Sequence, residues 1–405
     1  TAFGGGSRQY MEEGGVAFTG AVRDELLRVK QNTIYFKRMV LDLARFLDVE
    51  PDIESVLAAR NMAVAEGYGK YVSRLYADAG LETLIFDFGV PLPMLDVDRV
   101  KSELPVEIVP VFRIEPLIAD LLKTDLGWAE FKRRYDDTIY DALTKKGYKG
   151  VKSIIAYRTG LDVSPLSRTP DQGLQALDAI RRGLGGGSMK KLRDHLLCRA
   201  LELCMEHDVP MQIHTGMGDF EVNLVLCRPA YLMDLLRFPA FRACRVLLVH
   251  TGFPYHREAA YMANVLPRVY CDVSEGIPFA GQAAADIFRD VLAMAPLTKV
   301  CYGSDGYAVP EINYTSAKLG KQALACTLDG LIADGMLSAS DAQQAAGAIL
   351  AGNARELYHL GCRGLPRRDA YLRLPRRQPG RTRPGSAVRR RCPHRSRSPR
   401  RRPLR

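Results

Sequence analysis

The sequence predicts an α/β protein of the (β/α)8, or TIM-barrel, class that lacks its first strand. Three observations carry this expectation. Short apolar runs alternate with long segments of helical periodicity, chemically capable side chains stand at the ends of most of those runs, and seven runs are visible where a closed barrel needs eight.

The runs, rich in Val, Ile, Leu and Phe, cover residues 83–88, 107–113, 150–157, 210–214, 245–250, 268–273 and 299–303. Near-continuous apolar character is what a strand needs when helices cover both of its faces, as in a parallel sheet. Helical spacing of apolar residues marks the intervening segments 116–143, 172–206, 223–236 and 283–292. The first 82 residues read as two further helices, 24–47 and 52–79, and offer no strand. The missing strand is therefore expected upstream, and Thr1 in place of Met suggests a start inside a longer reading frame. A last helix spans 340–360, stopped by Gly361. No strand is followed by a glycine-rich dinucleotide fingerprint, and the residues Asp87, Arg113, Glu115, Arg158, His214, His250, Asp272, Glu275 and Asp305 fall at strand ends. This favours the barrel over an open doubly wound sheet, because barrel enzymes build their sites on that face.

Composition divides the chain in two. Of the 405 residues 47% are hydrophobic, enough for a sizeable core, and the formal charge is +11. Seventeen arginines against one acid, Asp369, give residues 363–405 a charge of +16, which leaves −5 for residues 1–362. The expected domains are thus a barrel over 1–362 and a disordered Arg/Pro-rich tail over 363–405, too poor in apolar residues to offset the entropy of ordering. Basicity confined to the tail makes nucleic-acid binding an expectation for the tail alone, and a shifted reading frame would explain the same composition. Nine cysteines without CxxC pairing or zinc-finger spacing read as reduced thiols. With no apolar stretch long enough for a bilayer, they suggest a soluble, cytoplasmic protein.

Three segments carry the chemistry: MQIHTGMGD over 211–219, VLLVHTGFP over 246–254 and VCYGSDG over 300–306. Each is an apolar strand, one ligand-capable side chain at its end, then glycine. On neighbouring strands, His214, His250 and Asp305 would converge within a few ångströms. Two imidazoles and a carboxylate suit zinc or a similar divalent ion with an open position for water. A lone strand-end histidine or an Asp before Gly has ordinary structural explanations. The repetition does not.

The order His214, His250, Asp305, with AYRTGL over 156–161 and GNARELY over 352–358, resembles the amidohydrolase superfamily over about residues 20–362. The nearest resemblance is to the amidohydrolase-related branch that includes the N-terminal domain of nodulin/glutamine-synthetase-like proteins. That resemblance implies a metal-dependent hydrolase barrel with one or two divalent metals, zinc first and manganese or another ion open. It implies that His214 and His250 stand for the fifth- and sixth-strand histidines and Asp305 for the eighth-strand aspartate, which binds metal and accepts the water's proton. It also implies a His-x-His pair on the first strand. No His-x-His occurs here, in keeping with the strand count.

Supporting roles are expected for Arg158, which could grip a substrate carboxylate, for Asp219 on the loop after the fifth strand, and for His256 near the mouth. Ion pairing, helix capping and a helix start are their plainer alternatives. Lys152 alternates in phase with the inward positions, and a buried ion pair is its expected role. His195 and His207 sit in or at the end of a long helix. The function so implied is hydrolysis of an amide or related C–N bond of a small carboxylate-bearing substrate, with Asp305 and His250 catalytic. A decarboxylase or uronate-isomerase-like enzyme on the same barrel is the alternative, as is an inactive domain associated with a glutamine synthetase. Homo-oligomers are compatible with the sequence.

Overall fold

All seven apolar runs form strands, and all seven lie parallel in one sheet whose spatial order is the sequence order. They are β1 (Thr83–Asp87), β2 (Glu107–Arg113), β3 (Gly150–Ser153), β4 (Met211–His214), β5 (Val246–Val249), β6 (Val269–Asp272) and β7 (Val300–Cys301). The computed structural model describes residues 20–89, 94–219, 221–306 and 309–361; the arginine-rich tail lies outside them. Each strand pairs only with its sequence neighbours, as expected of a TIM-barrel-type sheet built from right-handed βαβ units. Among the described residues no pairing joins β7 to β1.

Burial follows from position in that sheet. Strands β3, β4 and β5 are buried at every residue, whereas all of β1, at the sheet edge, is half-buried. Along β3 and β4, Val151 and Ile213 join the large apolar cluster between sheet and helices. Their neighbours Lys152 and Gln212, adjacent in register, face the interior with Arg113 of β2. The opposite wall of that interior is apolar, formed by Leu247, Val249 and Cys301. Leu357 and Tyr358 join the same cluster and close its floor, the Tyr358 hydroxyl accepting a 2.6 Å hydrogen bond from Gln212. A Cβ at Gly150, where β3 begins, would stand 3.0 Å from the Tyr358 ring, which places the ring at the N-terminal end of the sheet. The C-terminal end is left for the site.

The N-terminal segment is helical as expected, in three pieces: Gly20–Lys30, Ile34–Leu47 and Ile53–Ala79. Thr33 interrupts the first predicted helix by capping the second piece, its hydroxyl accepting from Phe36 N. These helices pack on Pro310–Ala333, a long helix the sequence reading leaves unassigned, through a second core that includes Val72, Leu75, Tyr76, Tyr314 and Ala317. Buried tyrosines join them: Asn313 donates to Tyr76 (2.9 Å), and Tyr71 and Arg60 both reach Glu311 (2.9 and 2.7 Å). Asn313 in turn accepts from Ser304 at 2.5 Å, so the N-terminal helices brace the loop that carries Asp305.

Two expected helices differ. Over 223–236 the chain makes 3-10 turns, Leu224–Cys227 and Pro229–Leu232, before a short helix Met233–Arg237, because Pro229 cannot continue a helix. The last helix is broken by a π turn, Ala348–Gly352, whose Ile349 carbonyl accepts from Tyr302 N beyond β7. Among the described residues seven cysteines are free thiols, six of them buried. No described helix is long and apolar enough to cross a membrane.

Candidate metal centre

The two His-Thr-Gly loops after β4 and β5 use their repeated residues in one way. Each threonine hydroxyl latches onto the next strand along: Thr215 donates to Val249 O (2.7 Å) and Thr251 to Ser274 O (3.1 Å). Gly216 lets the two loops touch. Its φ is +76°, and a Cβ there would stand 2.3 Å from the carbonyl carbon of Gly252. Glycine is required here for backbone-to-backbone contact, which packs the two histidine loops together. The rings of His214 and His250 accordingly lie with centroids 4.4 Å apart, and Tyr157 packs edge-on against His214 at 4.5 Å.

Both imidazoles are buried, at 3% and 4% exposure. Burial holds each ring's pKa well below its ordinary value. For His214 the neighbouring His250 and Lys152 act in the same direction and Asp305 opposes; for His250, Lys152 and Arg113 add to burial and Asp87 opposes. The rings are therefore neutral at pH 7, the form that ligates a metal. His214 Nε2 is buried and has no hydrogen-bond partner. A buried nitrogen left unpartnered is costly, and this one is open to a ligand.

His250 is held by a carboxylate beneath it. Asp272, at the end of β6, accepts from His250 N (2.8 Å) and from Ser274 N (3.0 Å) and Oγ (2.8 Å). With its proton given to Asp272, Ser274 Oγ accepts from His250 Nδ1 at 3.0 Å. Burial pushes Asp272 up to about 6, against its hydrogen bonds from Ser274 and His250. Asp272 thus orients an imidazole and does not stand in the ligand cluster.

The carboxylate that joins the two histidines is Glu275. One donor atom each from His214, His250 and Glu275 lie within 4.8 Å of one another, and Glu275 Oε2 is 3.7 Å from His250 Nδ1. Asp305 Oδ1 is 4.0 Å from the same nitrogen, but its side chain is 37% exposed where that of Glu275 is 6% exposed. Burial, and then the nearby charges of Asp305 and Asp219, push the Glu275 carboxyl well above its usual range. The backbone is strained around the cluster. His250, Thr251, Glu275 and Asp305 are four of the seven non-glycine residues with positive φ among those described. Each costs on the order of 1–3 kcal/mol, most for β-branched Thr251.

Across the mouth, β1 to β3 carry a different arrangement. Arg113 grips Asp87 with two nitrogens (2.9 and 2.5 Å) and Lys152 reaches it at 3.1 Å. Burial opposes ionisation of Asp87, yet Arg113 and Lys152 hold it far below the carboxylate range. Lys152 is therefore in a buried ion pair.

The remaining expected residues are dispersed. Asp219, half-buried, donates its backbone N–H to the Tyr157 hydroxyl at 3.0 Å; burial, then Asp305, raises its carboxyl. It caps no α-helix, since a 3-10 turn follows. His256 begins the helix His256–Val265 and bonds Asp290 at 2.9 Å, linking two outer helices. Arg158 is exposed, just after the 3-10 turn Ile155–Tyr157. His195 is buried in a helix against Trp128, with Nδ1 2.8 Å from Ser167 O. Glu275 is the residue that the strand-His-Gly pattern passed over. Its signal was the Ser-Glu-Gly that follows Asp272, three residues beyond the strand end.

The donor set fits a divalent cation: two neutral imidazoles, one with an unpartnered buried nitrogen, facing carboxylates. Known proteins resemble this chain in family and fold. The family described as amidohydrolase matches residues 128–360. Protein fluG of Emericella nidulans is 30% identical over 365 residues, which is 81% of this chain; the chain spans 41% of that relative's length. A solved structure from Lactobacillus casei ATCC 334, described as that of a candidate metal-dependent hydrolase, superposes with a TM-score of 0.72 at 26% identity, covering 86% of this chain and 88% of that one. A uronate isomerase from Bacillus halodurans C-125 shares the fold at a TM-score of 0.56 and 14% identity, covering 80% and 76%.

Proposed function

Because the chain belongs to the amidohydrolase family, we propose that it is a metal-dependent enzyme hydrolysing an amide or related C–N bond of a small carboxylate-bearing substrate. The observation that carries this reading is the buried, unpartnered Nε2 of His214 beside the neutral ring of His250. A divalent cation held by these histidines, zinc being the first choice, supplies Lewis-acid chemistry, polarising a carbonyl and bringing the pKa of water down towards ~7. Asp305 accepts the water's proton and returns it to the leaving nitrogen. Its exposure suits that role, since a proton carrier must face the substrate. Asp272, through Ser274, keeps the His250 ring aimed.

Substrate orientation falls to the rim. Arg113 is committed to Asp87, whereas Arg158 is exposed and makes no side-chain ion pair among the described residues. Arg158 is the guanidinium available to a substrate carboxylate. The relative from Lactobacillus casei, at 26% identity, supports hydrolysis over other chemistries of the fold. The test is a screen of metal-loaded protein against small carboxylate-bearing amides, with uronates and aromatic acids alongside. Amide turnover is expected, reduced by about 10²–10⁴ in Asp305→Asn with the fold intact. Isomerisation or decarboxylation without amide turnover, or full activity in that variant, overturns the reading.

A further inference from the structure

We propose that Asn313 is a positioning residue for Asp305: it holds the turn that carries this carboxylate from both sides, and Tyr76 of the N-terminal helices locks Asn313 in place. The inference rests on the reading above that Asp305 works at the metal centre, and it goes beyond that reading in tracing what aims the carboxylate.

Asp305 needs outside support. Strand β7 ends at Cys301, so ladder pairing no longer fixes the chain where Asp305 stands. Its φ is +53°, in the left-handed region that a non-glycine residue keeps only where its surroundings over-determine it. The Asp305 carboxylate accepts no hydrogen bond among the described residues. Its direction is therefore set by the backbone beneath it.

Asn313, in the first turns of the helix Pro310–Ala333, supplies that support with one atom. Ser304, just before Asp305, donates from Oγ to Asn313 Oδ1 at 2.5 Å. Gly306, just after it, has no side chain, and a Cβ there would stand 1.8 Å from the same Oδ1. The amide oxygen thus occupies the space of the missing side chain and touches both neighbours of Asp305. On the other face Gly303 packs against Ser274, the residue that orients His250; a Cβ at Gly303 would stand 2.7 Å from Ser274 Cβ. The turn is clamped between Asn313 and the support of His250.

Asn313 is itself fixed. It is 7% exposed, and its Nδ2 donates to the hydroxyl of Tyr76, 4% exposed, at 2.9 Å. Asparagine is a poor helix former, so its place inside a helix is explained by these tertiary bonds and not by the helix. The helix Ile53–Ala79 holds the same partner helix at other points, Tyr71 donating to Glu311 and Asp78 accepting from Tyr314, both at 2.9 Å. Those contacts join the two helices without touching residues 303–306. The Tyr76–Asn313 bond is the one that leads on to Asp305.

The test measures kcat and KM on the amide turned over fastest in the screen above, and visible spectra of the chelator-stripped full chain reloaded with Co²⁺. Asn313→Ala is expected to lower kcat by about 10²-fold while KM holds, as a misplaced catalytic group does. Tyr76→Phe should lower it by roughly tenfold. Tyr71→Phe, the same deletion on the same helix, should leave kcat unchanged. Asn313→Ala and Asp305→Asn should both shift the Co²⁺ bands, and Tyr71→Phe should not. In the Asp305→Asn background Asn313→Ala should cost nothing further, because it acts only through that carboxylate. Melting curves confirm that each variant folds. Full kcat in Asn313→Ala, losses that multiply in the double variant, or equal effects of Tyr76→Phe and Tyr71→Phe overturn the inference while Asp305 keeps its role. If no amide turns over, the proposed reaction falls and the spectra decide: bands unmoved by Asn313→Ala but shifted by Asp305→Asn overturn the inference. Bands unmoved by Asp305→Asn overturn the place of Asp305 at the metal centre and the inference together.

Discussion

The two halves of the barrel mouth handle buried charge in opposite ways. On β1 to β3, Asp87, Arg113 and Lys152 neutralise one another through contacts of 2.5–3.1 Å, and Arg113 and Lys152 are 14% and 8% exposed. On β4 to β7, His214 leaves a nitrogen unpartnered, Glu275 forms no ion pair with a lysine or arginine among the described residues, and four residues hold positive φ. A satisfied network gains nothing from a ligand and acts in folding. An unsatisfied, strained one is completed by whatever brings the missing charge. Breaking the first half should therefore act mainly on stability, whereas disturbing the second should act mainly on metal binding.

The largest effect on stability is expected from Asp87→Asn, which leaves two cations under a low-dielectric roof without their anion. Removing one partner of a buried pair costs about 3–5 kcal/mol, to be read from the urea midpoint. A loss under ~1 kcal/mol would show that solvent already screens the cluster. The pH dependence has a definite sign. The carboxyl of folded Asp87 titrates below its ordinary value of 3.8, so its stabilisation is full above that value and is lost as pH falls through the folded one. The penalty of Asp87→Asn should thus be flat from about pH 8 to 5 and shrink only in stronger acid.

In the other half, Gly216→Ala is the sharper probe. Its Cβ would collide with the Gly252 backbone at 2.3 Å, and its φ of +76° disfavours any side chain. A cost of roughly 1–3 kcal/mol is expected, with the two histidine loops forced apart and metal affinity reduced. Gly183, at φ +67° with nothing within 4 Å of a Cβ, is the control. Gly183→Ala should show only the backbone term of about 1 kcal/mol and unchanged metal binding.

The strands and the two histidines were legible because apolar runs and strand-end ligands are local patterns. Arg158 was placed at the end of the apolar run over 150–157, and there the run misled. Strand β3 stops at Ser153, because Glu115 accepts from Ser153 Oγ (2.7 Å) and Ile154 N (2.8 Å) and turns the chain into a 3-10 helix. That carboxylate is distant in sequence, so no local periodicity could show it. Glu275 was legible as a strand-end residue but not as a neighbour of the two histidines, for a related reason. Its place depends on the Asp272–Ser274–His250 network between neighbouring strands, and pairing of that kind becomes visible only in three dimensions.

The smallest effect belongs to Arg158, and it separates rim from scaffold. Exposed and unpaired, the side chain has little to lose on truncation, so Arg158→Ala should move stability by no more than about 0.5 kcal/mol. If the guanidinium meets a substrate carboxylate at the rim, water screens the contact to about 1 kcal/mol or less, a rise in KM of up to about fivefold. That contact is the same in ground and transition states, so kcat should hold. A neutral amide of the same shape should show no change at all. A fall in kcat for both substrates would instead place Arg158 among the groups that act on the reacting bond, and the division between a satisfied half, an unsatisfied half and a passive rim would have to be redrawn.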